Sequence, residues 1–136
     1  MSSLLVRRSK SIFSLLLVFC MVFSFGGAAS AQEGRGQFSY TSTYEIPLAY
    51  SNKTPSINVT TSPDFHFSEN ISVILEKKIN GEWKEKARSQ NSAYGKDTCA
   101  LNPKDTGEGW YRIVLVASSH KDERKTGSYE YIDWNN

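Results

Sequence analysis

Asn80-Gly81 sits between two runs in which apolar residues alternate with polar ones, and this pattern is the strongest short-range signal for a β-hairpin. Ile71, Val73, Leu75 and Ile79 fall on every second position before the turn, with Ser72, Glu76 and Lys78 between them and Ile74 breaking the pattern. The register can be argued from burial. A two-residue loop would set Leu75 opposite Lys86 and Val73 opposite Arg88, an apolar face against a charged one. A three-residue loop, with Gly81 in the left-handed position of a bulge, pairs odd residues with odd ones. Trp83 and Ala87 then join Val73, Leu75 and Ile79. A slip of one residue turns every side chain over, so burial predicts the three-residue loop.

Period-2 alternation continues through the rest of the chain after residue 37. Phe38, Tyr40, Tyr44, Ile46 and Leu48 predict one strand over Phe38 to Leu48, and Pro47 places it at a sheet edge or ends it there. Short strands are expected at Ile57 to Thr61 and Lys96 to Leu101. Phe65 and Phe67 point the same way around His66. Trp110 to Ala117 is apolar on both faces and reads as a central, covered strand. Gly127 to Trp134 closes the chain, with Tyr129 and Tyr131 on one face and Ile132 and Trp134 on the other. Ser118 to Thr126 is a charged loop expected to be mobile, and Gln32 to Gln37 reads as a loose leader. Helical periodicity with caps is lacking. The expectation is an all-β domain of about seven antiparallel strands in an immunoglobulin-like β-sandwich.

The first 31 residues have the three zones of an export signal. Arg7, Arg8 and Lys10 make a basic start, Ile12 to Phe25 is an apolar run, and Ala29-Ser30-Ala31 is an A-x-A cleavage site. The run is about 14 residues long, against roughly 20 for a bilayer-spanning helix. Phe19 before Cys20 does not suit a lipoprotein signal, and the residues after Arg7-Arg8 do not suit a twin-arginine one. Residues 1–31 are therefore read as a cleaved signal peptide, 32–136 as a single domain, and the product as secreted and extracellular. The signal carries three of the sixteen basic residues and none of the fourteen acidic ones. The mature part is thus close to neutral, which argues against nucleic acid and gives no pull toward anionic lipid. No membrane span is expected in the mature form.

Cys20 leaves with the signal, so Cys99 is the single mature cysteine and no internal disulfide can form. Cys99 is read as a buried small hydrophobe, with a free thiol joining two chains as the alternative. Asp105-Thr106-Gly107 followed by Tyr111 resembles the tyrosine corner of immunoglobulin-like domains, with two residues inserted before the tyrosine. Leu75 to Trp83 is similar to hairpins of bacterial fibronectin-like modules. The resemblance implies a fold and no activity.

No catalytic set stands out. His66 and His120 are the mature imidazoles, no G-x-S-x-G elbow occurs, and Cys99 has no C-x-x-C partner. Asp105 with Glu108, and Asp122 with Glu123, are paired carboxylates in polar loops. Neither these nor Asp97 follow a metal-binding spacing. The expectation is no enzyme, no cofactor and no metal. Asn52, Asn58 and Asn70 open N-x-[ST] sequons and are left unassigned as glycan acceptors. Aromatic content is the suggestive feature. Most of these rings are expected in the core, and Trp110, Trp134, Tyr129 and Tyr131 are the candidates for ligand contact, Trp110 above all because it opens its strand on the face opposite Tyr111. The leading function is binding of a protein or a cell-wall glycan at the envelope or outside the cell. The alternative is a secreted effector such as an antibacterial protein or protease inhibitor, which would need a rigid, protruding loop.

Overall fold

A computed structural model describes residues 32–66 and 69–135. Residues 1–31, on which the signal-peptide reading falls, together with Phe67, Ser68 and Asn136, lie outside the described residues. The described chain is built of eight strands: β1 (Gln32–Tyr40), β2 (Thr43–Pro47), β3 (Ile57–Pro63), β4 (Asn70–Ile79), β5 (Glu82–Ser92), β6 (Asp97–Leu101), β7 (Tyr111–Ala117) and β8 (Lys125–Asp133). They form two four-stranded antiparallel sheets, β1-β8-β3-β6 and β2-β7-β4-β5.

The expected all-β sandwich is present, with eight strands. Its connectivity is specific. β1 pairs with β8, β2 with β7, β3 with β6 and β4 with β5. The domain is therefore one long hairpin ribbon, with Asn80-Gly81 at its tip, rolled up so that β3 also meets β8 and β4 also meets β7. That is the jelly-roll version of a two-sheet sandwich rather than the immunoglobulin order. The additional strand comes from Phe38 to Leu48, which is two strands and not one. The chain crosses from one sheet to the other at Thr41 and Ser42. Two corner residues preserve the alternation, so Phe38, Tyr40, Ile46 and Leu48 are all buried although they line different sheets.

The hairpin register departs from expectation in an instructive way. Asn80 and Gly81 both have positive φ (53° and 83°), as a two-residue type I′ turn requires. Ile79 pairs with Glu82 and Lys78 with Trp83. The register then shifts between Leu75 and Glu76, leaving Lys86 as the extra residue of a β-bulge. Beyond it Leu75 faces Ala87 and Val73 faces Ser89. The odd-to-odd pairing is thus right for the core half of the hairpin and wrong for the turn half. Trp83 lies on the face of Lys78, opposite to Leu75, and is not a core residue.

Gln32 to Gln37, expected to be a loose leader, is the first part of β1. The reason lies across the strand pair. Gly34 faces Tyr131 and Gly36 faces Tyr129, and a Cβ at either glycine would come within 2.6–2.7 Å of the opposing tyrosine ring or hydroxyl. Phe38 faces Gly127 in the same way. Each large ring lies over a residue with no side chain, so the edge strand packs flush on its neighbour.

The core contains Ile57, Val59, Val73, Leu75, Leu101, Ile113 and Leu115, all fully buried. β7 is central as expected, and Ile74, which broke the alternation, pairs with Val114 on the outer face where both are nonetheless buried. Asn91 is enclosed between the sheets. Its amide donates to Val59 O at 3.2 Å, Thr61 Oγ1 at 2.9 Å and Asp97 O at 3.1 Å, tying β5 to β3 and β6. Cys99 is buried opposite Val59. Burial pushes its thiol up, so a disulfide between two chains gains no support. The tyrosine corner is present despite the insertion, because Tyr111 donates its hydroxyl to Gly107 O at 2.6 Å and meets Thr106 Oγ1 at 2.8 Å.

Two predictions follow from this packing. A Cβ at Gly127 would lie 2.5 Å from Phe38, 2.6 Å from Ser62 O and 2.8 Å from Pro63 Cα, of which the last two are backbone. Gly127→Ala should cost about 2 kcal/mol in urea unfolding. Tyr40 is buried and its hydroxyl has no hydrogen-bond partner among the described residues. Tyr40→Phe should be neutral or stabilising by about 1 kcal/mol. Burial, helped by the Glu69 charge, pushes the Tyr40 hydroxyl up to about 12. Its neutral form is favoured in the folded state, so this contribution is full below the ordinary tyrosine value and lost as pH climbs toward 12. Tyr40→Phe should remove that share of the alkaline loss and leave the shares of Tyr111, Tyr129 and Tyr131, which burial also raises.

Candidate functional site

The outer face of the β2-β7-β4-β5 sheet has an orderly cross-strand layout. One row runs Glu45, Val114, Ile74, Arg88, and the next runs Pro47, Arg112, Glu76, Glu85. The charges here are mostly paired. Arg112 meets Glu76 at 2.7 Å and Glu45 at 3.2 Å. Arg88 meets Glu85 at 2.8 Å. Residues three apart in a regular strand lie on opposite faces, and the Lys86 bulge is what brings these two together.

A third row, nearest the hairpin tip, is aromatic. Trp110 precedes β7 and accepts the Lys78 N–H at 2.9 Å through its carbonyl. Lys78 in turn pairs with Trp83. The two tryptophans therefore flank Lys78, two strands apart, with about 10 Å between their backbones. Both rings are braced. The Arg112 guanidinium lies 4.4 Å from the Trp83 ring centre and the Lys78 ammonium 5.8 Å from it. Tyr50 meets Trp110 edge to face, centroids 5.2 Å apart at 78°. Between them is an open depression of about 270 Å³ lined by Pro47, Leu48, Lys78, Trp83, Trp110 and Tyr111. Trp110 remains 52% exposed and Tyr50 41%. Large exposed rings at the rim of an apolar hollow are a departure from the usual soluble surface.

The loops beneath are ordered by the same end of the fold. Ser51 and Gly109 exchange two backbone hydrogen bonds of 2.9 Å, which sets Tyr50 beside Trp110. Lys77 lies 5.8 Å from the Tyr111 ring centre and bonds Thr106 O, filling the space under the corner. Gly109 has a φ of 154°, which L side chains rarely adopt, and a Cβ there would also displace the flexible end of Lys77 at 2.7 Å.

No known protein family matches the chain, and no characterised protein matches it in sequence. Solved structures similar to it include the following three. The CBM36-1 domain of a multidomain xylanase from the hindgut metagenome of Trinervitermes trinervoides has 14% identity and a TM-score of 0.47, covering 76% of this chain and 90% of that one. The Yersinia pseudotuberculosis-derived mitogen has 13% identity and a TM-score of 0.41, over 79% and 88%. PliG of Aeromonas hydrophila, a periplasmic lysozyme inhibitor of g-type lysozyme, has 17% identity and a TM-score of 0.43, over 81% and 92%.

The residues singled out from sequence fall in three places. Trp110 stands in the aromatic row, beside Trp83, which sequence reasoning had assigned to the core. Trp134 is 59% exposed just past β8, its backbone N–H donating to Ser56 O at 2.8 Å. Tyr129 and Tyr131 face inward over Gly36 and Gly34 and pack partly buried against the core. The missing signal for Trp83 was the bulge. A charged position such as Lys86 close to a turn is where an unpaired residue is tolerated, but sequence alone does not place it.

Histidine and carboxylate do meet in one loop. His120 Nδ1 is 2.9 Å from Ser119 Oγ and 3.3 Å from Glu69 Oε2. Serine and acid address the same ring nitrogen, whereas a triad needs them on opposite nitrogens. The cluster instead fastens the Ser118–Arg124 segment. Glu69 accepts from Ser118 Oγ at 2.9 Å, Ser119 N at 2.8 Å and Ser119 Oγ at 2.6 Å. Burial acts to raise the Glu69 carboxyl, and these bonds outweigh it and hold it below the usual range. Lys125 is 1% exposed, and its ammonium donates to the carbonyls of Thr41, Glu123 and His120. The loop expected to be mobile is thus tied at its base, and β8 begins at Lys125 rather than Gly127. His66 lies beyond the end of β3, its ring centre 5.0 Å from that of Tyr94. Among the described residues no three potential metal ligands cluster, and no helix is long and apolar enough to cross a membrane.

Replacing Glu69 by alanine removes four side-chain contacts to the loop, from Ser118 Oγ, Ser119 N, Ser119 Oγ and His120 Nδ1. Native-state hydrogen exchange at Ser119 N should speed up at least about tenfold, while the β7 amides keep their protection.

Proposed function

We propose that this is a small secreted protein that acts by binding, not by catalysis, at the cell envelope or outside the cell. The single observation that supports this most is the braced pair Trp83 and Trp110 around an apolar hollow on an otherwise self-paired charged face. Tryptophan and arginine dominate binding hot spots, and a rim of paired charges excludes water around such a centre. Rigid rings also lose little entropy when a ligand docks. A catalytic reading has less behind it, since Cys99 is buried and Ser119, His120 and Glu69 are arranged as a fastening.

A second reading, an effector such as a protease inhibitor or antibacterial protein, is favoured by one feature. The exposed Ser118–Arg124 segment is held at its base by Glu69 and Lys125, and a held loop is what an inhibitor needs.

The two readings separate in one experiment. Immobilised mature protein is challenged with envelope extracts and with cell-wall polysaccharides, and retention is measured for wild type, Trp110→Ala and Glu69→Ala. Trp110→Ala should lower retention at least about tenfold with an unchanged unfolding midpoint, and Glu69→Ala should leave it unaltered. Loss in Glu69→Ala alone would move the activity to the loop. Equal retention in all three would end the aromatic-face reading.

A further inference from the structure

The geometry points to a protein partner that inserts an apolar side chain between Trp83 and Trp110 and places a carboxylate from the neighbouring residue on Lys78. This rests on the binding role of the aromatic face and names the chemistry that the face selects.

The chemistry of the hollow argues for a side chain over a sugar. Its lining is Pro47, Leu48, Lys78, Trp83, Trp110 and Tyr111, and the Tyr111 hydroxyl is already engaged by Gly107 and Thr106. A pyranose ring would bring several hydroxyls into a site with few groups to pair them, at a desolvation cost for each left unpaired. The rings also stand apart in orientation. Tyr50 is edge-on to Trp110 at 78°, so these two neighbouring rings do not make a flat platform for stacked sugars. A volume of about 270 Å³ suits one leucine- or phenylalanine-sized group with room at the mouth.

Charge complementarity supplies the second half. The arginines of this face are committed, Arg112 to Glu45 and Glu76 and Arg88 to Glu85. Lys78 is in no ion pair among the described residues and meets only the Trp83 ring at 5.8 Å. It lies at the wall of the notch on an exposed position. A carboxylate arriving there is paired with a cation while the adjoining apolar group leaves water. A basic partner would meet an unpaired like charge in the same place.

The test uses mature wild-type protein and Lys78→Gln, with the Trp83 and Trp110 indole N–H resonances followed by NMR. The probes are N-acetyl-leucyl-aspartyl-amide, the matching leucyl-asparaginyl-amide, and a hexamer of N-acetylglucosamine. The expected result is that both dipeptides shift the two indole signals. The aspartyl form should bind about fivefold more tightly at low salt, a preference that Lys78→Gln abolishes without abolishing binding. Dipeptide binding with no charge preference overturns the inference and leaves the aromatic face as a binding site. So does a response to the sugar hexamer alone. No response to any probe overturns both.

Discussion

The extra residue at Lys86 is the constraint on which the structure turns. The Asn80-Gly81 pair demands a two-residue turn, and the buried face of β4 demands that Leu75 and Val73 meet small or apolar partners. Carried through a regular ladder, the two demands contradict each other, because the turn's register would bury Lys86 and Arg88. Inserting one unpaired residue lets the strand change faces between Glu85 and Ala87. The core side receives Ala87, and the turn side turns Trp83 outward. The same change puts Glu85 and Arg88 on one face, where they pair. A single backbone irregularity thereby sets the core, the charged rows and the aromatic notch.

Rolling the ribbon closed leaves polar groups inside, and several of them are paired through side chains. Asn91 bridges three strands across the interior. Lys125 collects carbonyls from the turn after β1 and from the loop before β8. Tyr111 closes the corner ahead of β7. Asn91 and Lys125 reach elements far apart in sequence, Val59 and Thr41 among them, so each is worth most once the strands have met, whereas the Tyr111 bond is local. Cys99 is a free thiol, and the Asn91 clasp ties the two layers together, while the ring-over-glycine contacts seat β1 on β8 within one sheet.

The aromatic notch inherits its rigidity from this arrangement. Trp83 is held by Arg112, and Arg112 is held by two glutamates from strands on either side of its own. Trp110 is held by Tyr50, whose position follows from the Ser51 and Gly109 bridge. Rings supported by neighbours that are themselves fixed would meet the proposed partner with little reorganisation to overcome.

Much of this was legible in the residues. Alternation after position 37 determines extended chain and which side of most strands is buried, because side chains in a strand point to opposite faces in turn. Phe38, Tyr40, Ile46, Val59, Leu75 and Ile113 are all where that rule puts them. Trp110 as an exposed ring and Tyr111 as the corner residue were likewise readable from local pattern. What local pattern does not carry is pairing at a distance. Gly34 and Gly36 look like punctuation until Tyr131 and Tyr129 are set against them. Ser118 to Arg124 looks slack until Glu69 reaches it. Trp83 reads as core because alternation assumes an unbroken ladder. The tertiary structure decided these, since only when a turn and a core compete for one strand does the chain have a reason to break its own period.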